Sequence, residues 1–240
     1  MQSRKFSDII HSGDAAYLPS GASIQQLPAE PAISQRDRDE ITRSINKEMT
    51  DGGFPTLHMN AHLSGSVMEG CFPQGPAWAE KLATLNMCVG RKGCIVALVG
   101  PRGTGKTQMA TSASHRFAFD QMARRRFSKA CRYARAMELF MSVKDSYSAS
   151  TSERDSFDAF TRPLLLVLDE VQVRNESKWE DNALTFLLDT RYGDGKRTIL
   201  ISNQTVDGFT ESIGDSVASR ITETGAILPC DWPSFRGIEP

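Results

Sequence analysis

The chain has 240 residues, 40% of them hydrophobic and 24% charged, which is the composition of one ordinary globular domain with an appendage. Its 28 lysines and arginines and 29 aspartates and glutamates leave a net charge of −1, so only a local basic patch could contact DNA. No apolar run approaches the roughly 18 residues of a membrane span, and no secretory signal opens the chain, so we expect a cytoplasmic protein. The five cysteines include no C-x-x-C pair, which argues against a zinc ribbon or a disulfide framework.

The first 76 residues differ in pattern from the rest. Residues 1–34 are rich in Pro, Ser, Gln and Gly, which is typical of a flexible arm. Apolar side chains then recur at helical spacing and predict one amphipathic helix, whose face could dock in a partner's groove: Ile41, Ile45 and Met49. We therefore expect an arm with a partner-binding helix over 1–76 and a compact domain over 77–240.

Strand and helix patterns alternate in the second part. Short apolar runs predict five strands, at residues 94–99, 131–135, 164–168, 198–201 and 226–228. Helical patterns separate most of them, at residues 106–126, 137–147 and 179–192. This alternation predicts an α/β fold, with a parallel sheet flanked by helices on both faces.

A complete phosphate-binding motif follows the first predicted strand. The match to G-x-x-x-x-G-K-[ST] consists of Gly100, Pro101, Arg102, Gly103, Thr104, Gly105, Lys106 and Thr107. The glycines let backbone N–H groups converge on a triphosphate, and the helix that follows adds the positive end of its dipole. Lys106, which we expect to face the phosphates and to lie outside the core, would supply charge at the β- and γ-phosphates, and the Thr107 hydroxyl would ligate Mg²⁺. ATP and Mg²⁺ are the expected cofactors.

Two carboxylates end the strongest apolar run. Asp169 and Glu170 directly follow the predicted strand at 164–168, where a buried parallel strand emerges at the ligand edge of its sheet. Asp169 is placed to hold Mg²⁺ through water, and Glu170 to orient or deprotonate the attacking water. The pattern therefore favours ATP hydrolysis.

Two further polar residues extend this candidate site. Asn203 follows the predicted strand at 198–201, and its amide could contact the γ-phosphate or the attacking water. Arg220 lies in a helical stretch, from which it could reach a neighbouring subunit's γ-phosphate and stabilise transition-state charge. The alternative for Arg220 is a surface ion pair with Asp215 or Glu223.

A cluster of cations and aromatic residues lies between positions 124 and 135. Its members are Arg124, Arg125, Arg126, Phe127, Lys129, Arg132, Tyr133 and Arg135. Charge neutralisation together with base stacking is how proteins hold single-stranded DNA without sequence preference. The alternative is a solvated helix end with cations at its C-terminus.

Five tracts within residues 164–236 form a recognisable set: VLDEVQVR, the helix end DTRY, ISN, IG-x₄-SR and the terminal DW-x-S-x-R. With the phosphate loop they cover about residues 77–237, and this part of the chain resembles the ATPase domain of the bacterial replicative helicase loader family, the DnaC-type proteins. The IstB-type transposition helper ATPases are similar and also end in S-x-R. The tract Asp231-Trp232 favours the loader branch.

The resemblance implies a P-loop NTPase fold of AAA+ type. Within that fold Asn203 matches the first sensor position, Arg220 the arginine finger and Arg236 the second sensor arginine. The resemblance also implies assembly into a homo-oligomer on ATP binding, contact with a ring-shaped replicative helicase and contact with single-stranded DNA.

The expected function is therefore that of an AAA+ ATPase that loads or regulates a replicative DNA helicase. Two alternatives use the same motifs. One is an IstB-like helper ATPase that regulates a transposase, and the other is a non-hydrolysing adaptor in which ATP only orders the domain.

Overall fold

A five-stranded parallel sheet organises the chain. The computed structural model describes residues 34–59, 72–123, 130–148, 153–173 and 178–236. The strands are β1 (Ile95–Val99), β2 (Cys131–Arg135), β3 (Leu165–Asp169), β4 (Arg197–Ser202) and β5 (Ala226–Pro229). Their order across the sheet is β2-β3-β4-β1-β5, and all neighbours pair in parallel. The predicted strands are confirmed, each to within one residue at either end.

Helices connect and cover these strands. In chain order they are α1 (Gln35–Asp51), α2 (Thr56–Met59), α3 (Gly75–Gly90), α4 (Lys106–Ala123), α5 (Ala136–Ser148), α6 (Glu153–Thr161), α7 (Lys178–Gly193), α8 (Val206–Ile213) and α9 (Asp215–Thr224). Sequence patterns missed α2, α6 and α8, because each is short and buries at most two apolar side chains. Within the described residues, no helix combines the length and apolarity needed to cross a bilayer.

Both faces of the sheet are buried. Side chains of β1 alternate between the faces, as the period of two requires: Val96 and Leu98 join one apolar cluster, while Ile95, Ala97 and Val99 join the other. Helices α1, α3 and α4 cover the first face, and α5, α7 and α9 cover the second. This is the doubly covered parallel sheet that the uninterrupted apolar runs predicted.

Helix α1 packs against the same core. The backbone N–H of Asp37 donates to the Ser34 hydroxyl at 3.2 Å, so Ser34 caps the helix. Ile45 and Met49 are 0% and 1% exposed within the cluster that contains α3 and α4, and Ile41 packs against it. The prediction that this face docks in a partner is therefore wrong, because the face is already buried within the chain. The domain division at residue 76 stays a prediction.

A buried arginine ties α7 to the strands beside it. Arg191 is fully buried, and its guanidinium donates to the Thr198 hydroxyl at 2.9 Å and to the carbonyls of Phe160 and Pro163 at 2.8 and 2.9 Å. It also donates to the carbonyl of Arg197. Burial lowers the pKa of Arg191. The arginine of the DTRY tract is thus a structural residue that satisfies carbonyls at the edge of the core.

We expect the substitution Arg191→Met to lower the free energy of unfolding by about 3 kcal/mol or more, because it leaves several buried carbonyls without donors. Urea denaturation followed by circular dichroism measures this. The matched control is Arg162→Met, whose side chain is 77% exposed beside Asp158 and whose effect should stay within about 0.5 kcal/mol. Equal effects of the two substitutions would contradict a structural role for Arg191.

Candidate active site

The predicted phosphate loop connects β1 to α4. Gly103 adopts φ +87°, and a Cβ atom there would lie 2.1 Å from the Ser234 hydroxyl, so only glycine fits. The Lys106 ammonium donates to the carbonyls of Gly100 at 2.7 Å and Pro101 at 2.6 Å. Lys106 lines the cleft but is itself buried among loop atoms, and this burial lowers its pKa. Its charge is therefore held inside the loop.

Asp169, the last residue of β3, joins the loop to the sheet. Its Oδ2 accepts the Thr107 hydroxyl at 3.0 Å and the Tyr133 hydroxyl at 2.8 Å, while Oδ1 accepts the backbone N–H of Glu170 at 2.7 Å. The structure thus brings together Thr107 and Asp169, the two predicted metal-holding residues. Their hydroxyl and carboxylate oxygens are the donors that Mg²⁺ prefers, so the residues present fit this metal.

Glu170 occupies a tight turn after β3. Its φ is +56°, the left-handed region, which makes it the one positive-φ residue other than glycine in the described ranges. The conformation costs about 1–2 kcal/mol, and such strain is often found at functional sites. The turn is held because Val171 N–H donates to the carbonyl of Ile201 at 3.1 Å. The Glu170 carboxylate lies 3.7 Å from Nε of Arg135.

These groups line one cleft of about 480 Å³. Its lining includes Arg102, Gly103, Gly105, Lys106, Thr107, Asp169, Glu170, Asn203 and Arg236, all of them predicted site residues. Asn203 reaches it from the end of β4, beside β3, and its backbone N–H donates to the side chain of Gln172 at 3.2 Å. No sequence pattern predicts this contact of Gln172.

The C-terminal tract packs on the phosphate loop. The indole of Trp232 donates to the carbonyl of Thr104 at 3.0 Å, and Phe235 N–H donates to the carbonyl of Gly103 at 2.8 Å. From the other side, the indole of Trp78 donates to the carbonyl of Gly105 at 3.3 Å. These contacts bring the DW-x-S-x-R tract, with Arg236, to the cleft. No sequence pattern predicts either indole contact.

Arg220 lies elsewhere. Its guanidinium pairs with Asp189 of α7 at 3.1 Å and donates to the carbonyl of Ser216 at 2.9 Å, and it lies over the ring of Tyr192. It is not among the described residues that line the cleft. The surface ion pair considered from the sequence therefore exists, but its acid is Asp189 and not Asp215 or Glu223.

The basic cluster is described only in part, since positions 124–129, which include Arg124, Arg125, Arg126, Phe127 and Lys129, lie outside the described residues. Arg132 is half-buried with its guanidinium 4.6 Å from the centre of the Phe160 ring. Tyr133 is half-buried, and this burial, together with the charge and the hydrogen bond of Asp169, raises the pKa of its hydroxyl. The Tyr133 ring packs against the core and offers no face for base stacking, whereas the Arg135 side chain is 62% exposed.

The sequence of the chain matches a known protein family and several of its relatives. The sequence profile of the IstB-like ATP binding proteins matches residues 74–229, well over half of the chain. The replicative helicase loader DnaC of Escherichia coli K12 is 21% identical over 202 residues, which are 83% of this chain and 79% of the relative. An ATP-binding protein in an insertion sequence of Mycobacterium tuberculosis is 27% identical over 233 residues, 94% of this chain and 83% of the relative.

A solved structure supports the same assignment at the level of the fold. The crystal structure of a DnaC helicase loader superposes with a TM-score of 0.57 at 17% identity, over 73% of this chain and 99% of that chain. The parallel sheet with its phosphate loop after β1 is accordingly the P-loop fold of AAA+ type. The chain belongs to the IstB-like ATP binding protein family, within the DnaC/IstB-like group of AAA+ proteins.

Proposed function

We propose that the chain hydrolyses ATP and that this ATP cycle loads or regulates a replicative DNA helicase during DNA replication. The observation that carries the hydrolysis is the cleft in which Asp169 accepts the hydroxyl of Thr107 while Glu170 stands beside it. A protein that only binds ATP needs the phosphate loop, but it does not need a second carboxylate held in a strained turn. The pair of carboxylates therefore favours an ATPase over a non-hydrolysing adaptor.

Each residue has a separate task in the proposed reaction. The backbone N–H groups of the loop and the Lys106 ammonium would bind the phosphates, and Lys106 would exchange its bonds to the loop carbonyls for phosphate oxygens. Thr107 and Asp169 would hold Mg²⁺, which neutralises charge on the β- and γ-phosphates. Glu170 would orient and deprotonate the attacking water.

Three further residues would act on the γ-phosphate. We assign Asn203 and Arg236 to the chain's own nucleotide, since both line its cleft. We assign Arg220 to the nucleotide of a neighbouring copy, since it lies outside that cleft and is partly exposed. This division supports a homo-oligomer that forms on ATP binding, with each site completed by a second subunit.

The helicase partner is supported by a relative. The Escherichia coli protein is called a replicative helicase loader, and the alignment with it spans most of both chains. Single-stranded DNA is the second partner that we propose. The exposed Arg135 and the basic residues at positions 124–129 would contact the DNA phosphates.

A second candidate function has its own support. The family profile is that of IstB-like proteins, and the Mycobacterium tuberculosis relative, an ATP-binding protein in an insertion sequence, aligns over more of this chain than the loader does. A transposition helper would use the same cleft to regulate a transposase. The partner, and not the ATP site, separates the two functions.

Two substitutions test the ATP site. We expect Lys106→Ala to abolish ATP binding and turnover, because it removes the cation from the loop, and Glu170→Gln to bind ATP without hydrolysing it, because Thr107 and Asp169 remain. Release of phosphate measures turnover, and a fluorescent ATP analogue measures binding. Lys178→Ala, an exposed lysine at the start of α7, is the control and should behave as wild type. Wild-type turnover in Glu170→Gln would contradict the assignment of the base.

Partner capture separates loader from transposition helper. Immobilised Glu170→Gln protein with ATP should retain the purified replicative helicase of the same host, because the ATP-bound state persists, and Lys106→Ala should not. The transposase of an IS21-type element serves as the competing ligand. Retention of the transposase in place of the helicase would replace our proposal with the second candidate. Capture of the helicase by a wild type that shows no turnover would favour the adaptor.

The position of Arg220 predicts action in trans. We expect Arg220→Ala to lower turnover by about a thousandfold while ATP binding stays within a fewfold of wild type, as for other arginine fingers. A mixture of inactive Arg220→Ala and inactive Lys106→Ala subunits should recover activity, because some sites then combine an intact loop with an intact arginine. Arg162→Ala, which removes the same charge at an exposed position directly after α6, is the control. No recovery in a mixture shown to co-assemble would leave Arg220 as the ion-pair partner of Asp189.

A further inference from the structure

A tyrosine that no sequence pattern assigned to the ATP site contacts its metal-holding carboxylate. The Tyr133 hydroxyl donates to Oδ2 of Asp169 at 2.8 Å, the same oxygen that accepts the hydroxyl of Thr107. Asp169 is 6% exposed, so the carboxylate is nearly cut off from water that could replace either donor. Its orientation therefore depends on the protein groups around it.

The strand register explains how Tyr133 reaches this carboxylate. On β2, Tyr133 pairs with Val167 of β3, and Asp169 lies two residues further along β3. Residues two apart on a strand share a face and are separated by about 6.6 Å, a span that a long side chain can cover. A tyrosine at this position can thus place its hydroxyl on Asp169 while its backbone stays in the sheet.

The turn after α1 fixes the tyrosine from outside the sheet. Strand β2 lies at one edge of the described sheet, and the backbone N–H of Tyr133 donates to the carbonyl of Gly52 at 2.8 Å. Gly53 lies against the same backbone, since a Cβ atom there would meet the Tyr133 carbonyl oxygen at 2.9 Å. The ring of Phe54, 4% exposed, packs on the Tyr133 ring with centroids 5.7 Å apart. Backbone and ring are both held by residues 52–54.

We propose that Tyr133 is a positioning residue that orients the Asp169 carboxylate for Mg²⁺, and that Phe54 holds the Tyr133 ring in place for this task; the proposal rests on the proposed nucleotide site. Groups that hold a metal ligand by hydrogen bonds fix its orientation, and their loss commonly weakens metal binding by 10- to 100-fold. Residues 52–54 would therefore have two tasks: they cover the edge of the sheet, and they hold the tyrosine that orients Asp169. Tyr133, a member of the predicted DNA-binding cluster, thus acts on the metal ligand of the ATP site.

The test measures how nucleotide binding depends on Mg²⁺, with the full-length chain and a fluorescent ATP analogue. In Tyr133→Phe the ring and its packing on Phe54 remain and only the hydroxyl is lost. We expect a rise of about tenfold in the Mg²⁺ concentration at which nucleotide binding is half-maximally strengthened. The affinity for the nucleotide in EDTA and the melting temperature without nucleotide should stay close to wild type. Phe54→Leu, which keeps the hydroxyl but loosens the ring, should shift the Mg²⁺ dependence in the same direction by a smaller factor.

The control removes a hydroxyl that does not reach the site. Thr50→Val removes a hydroxyl that donates to the carbonyl of Asn46 on the exposed side of α1, and it should leave the Mg²⁺ dependence unchanged. Equal weakening of binding by Tyr133→Phe with and without Mg²⁺, or an unchanged Mg²⁺ dependence, would overturn the proposal. Phosphate release by the same proteins is measured separately, so a wild type that binds Mg²⁺ and ATP without turnover would overturn the proposed hydrolysis and not this inference.

Discussion

The carboxylate of Asp169 is the group on which the arrangement of the whole site depends. It ends β3, and it accepts hydrogen bonds from Thr107 at the start of α4, from Tyr133 on β2 and from the backbone of Glu170. Because the carboxyl ends of parallel strands meet at one edge of a sheet, β1, β3 and β4 bring the phosphate loop, the acids and Asn203 to one cleft. A buried carboxylate with three donors can be held in one orientation, and that is what a metal ligand requires.

Helix α1 and the turn that follows it cover an edge of the sheet and also contribute to the core. Exposed edge strands present unpaired backbone groups, and here the turn at Gly52 and Gly53 covers the edge of β2 next to Tyr133. The same segment buries Ile45 and Met49 of α1. The sequence pattern of an apolar helical face is the same whether the face binds a partner or packs on its own domain. Sequence alone therefore could not distinguish these two placements of α1.

Residues that carry local chemistry were predictable. The loop from Gly100 to Thr107 and the pair Asp169 and Glu170 are identified by neighbours in the chain, since the motif and the apolar run before the acids are both contiguous. Residues that act through distant contacts were not. The indole of Trp232 reaches the loop across 128 positions, and Arg191 satisfies carbonyls of Phe160 and Pro163 across about 30. Both residues lie in tracts of the family resemblance, but neither tract indicates which distant carbonyl its side chain contacts.

The sequence by itself determined the five strands, the longer helices between them and the chemistry of the phosphate loop, because hydrophobic periodicity and a glycine-rich motif depend on adjacent residues. Tertiary structure alone decided that Lys106 is buried, that Arg220 pairs with Asp189 and that Tyr133 faces Asp169 rather than solvent. The physical reason is that each of these outcomes depends on which faces of separate elements meet. Strand order and register determine which faces are in contact, and no local sequence pattern predicts the order β2-β3-β4-β1-β5.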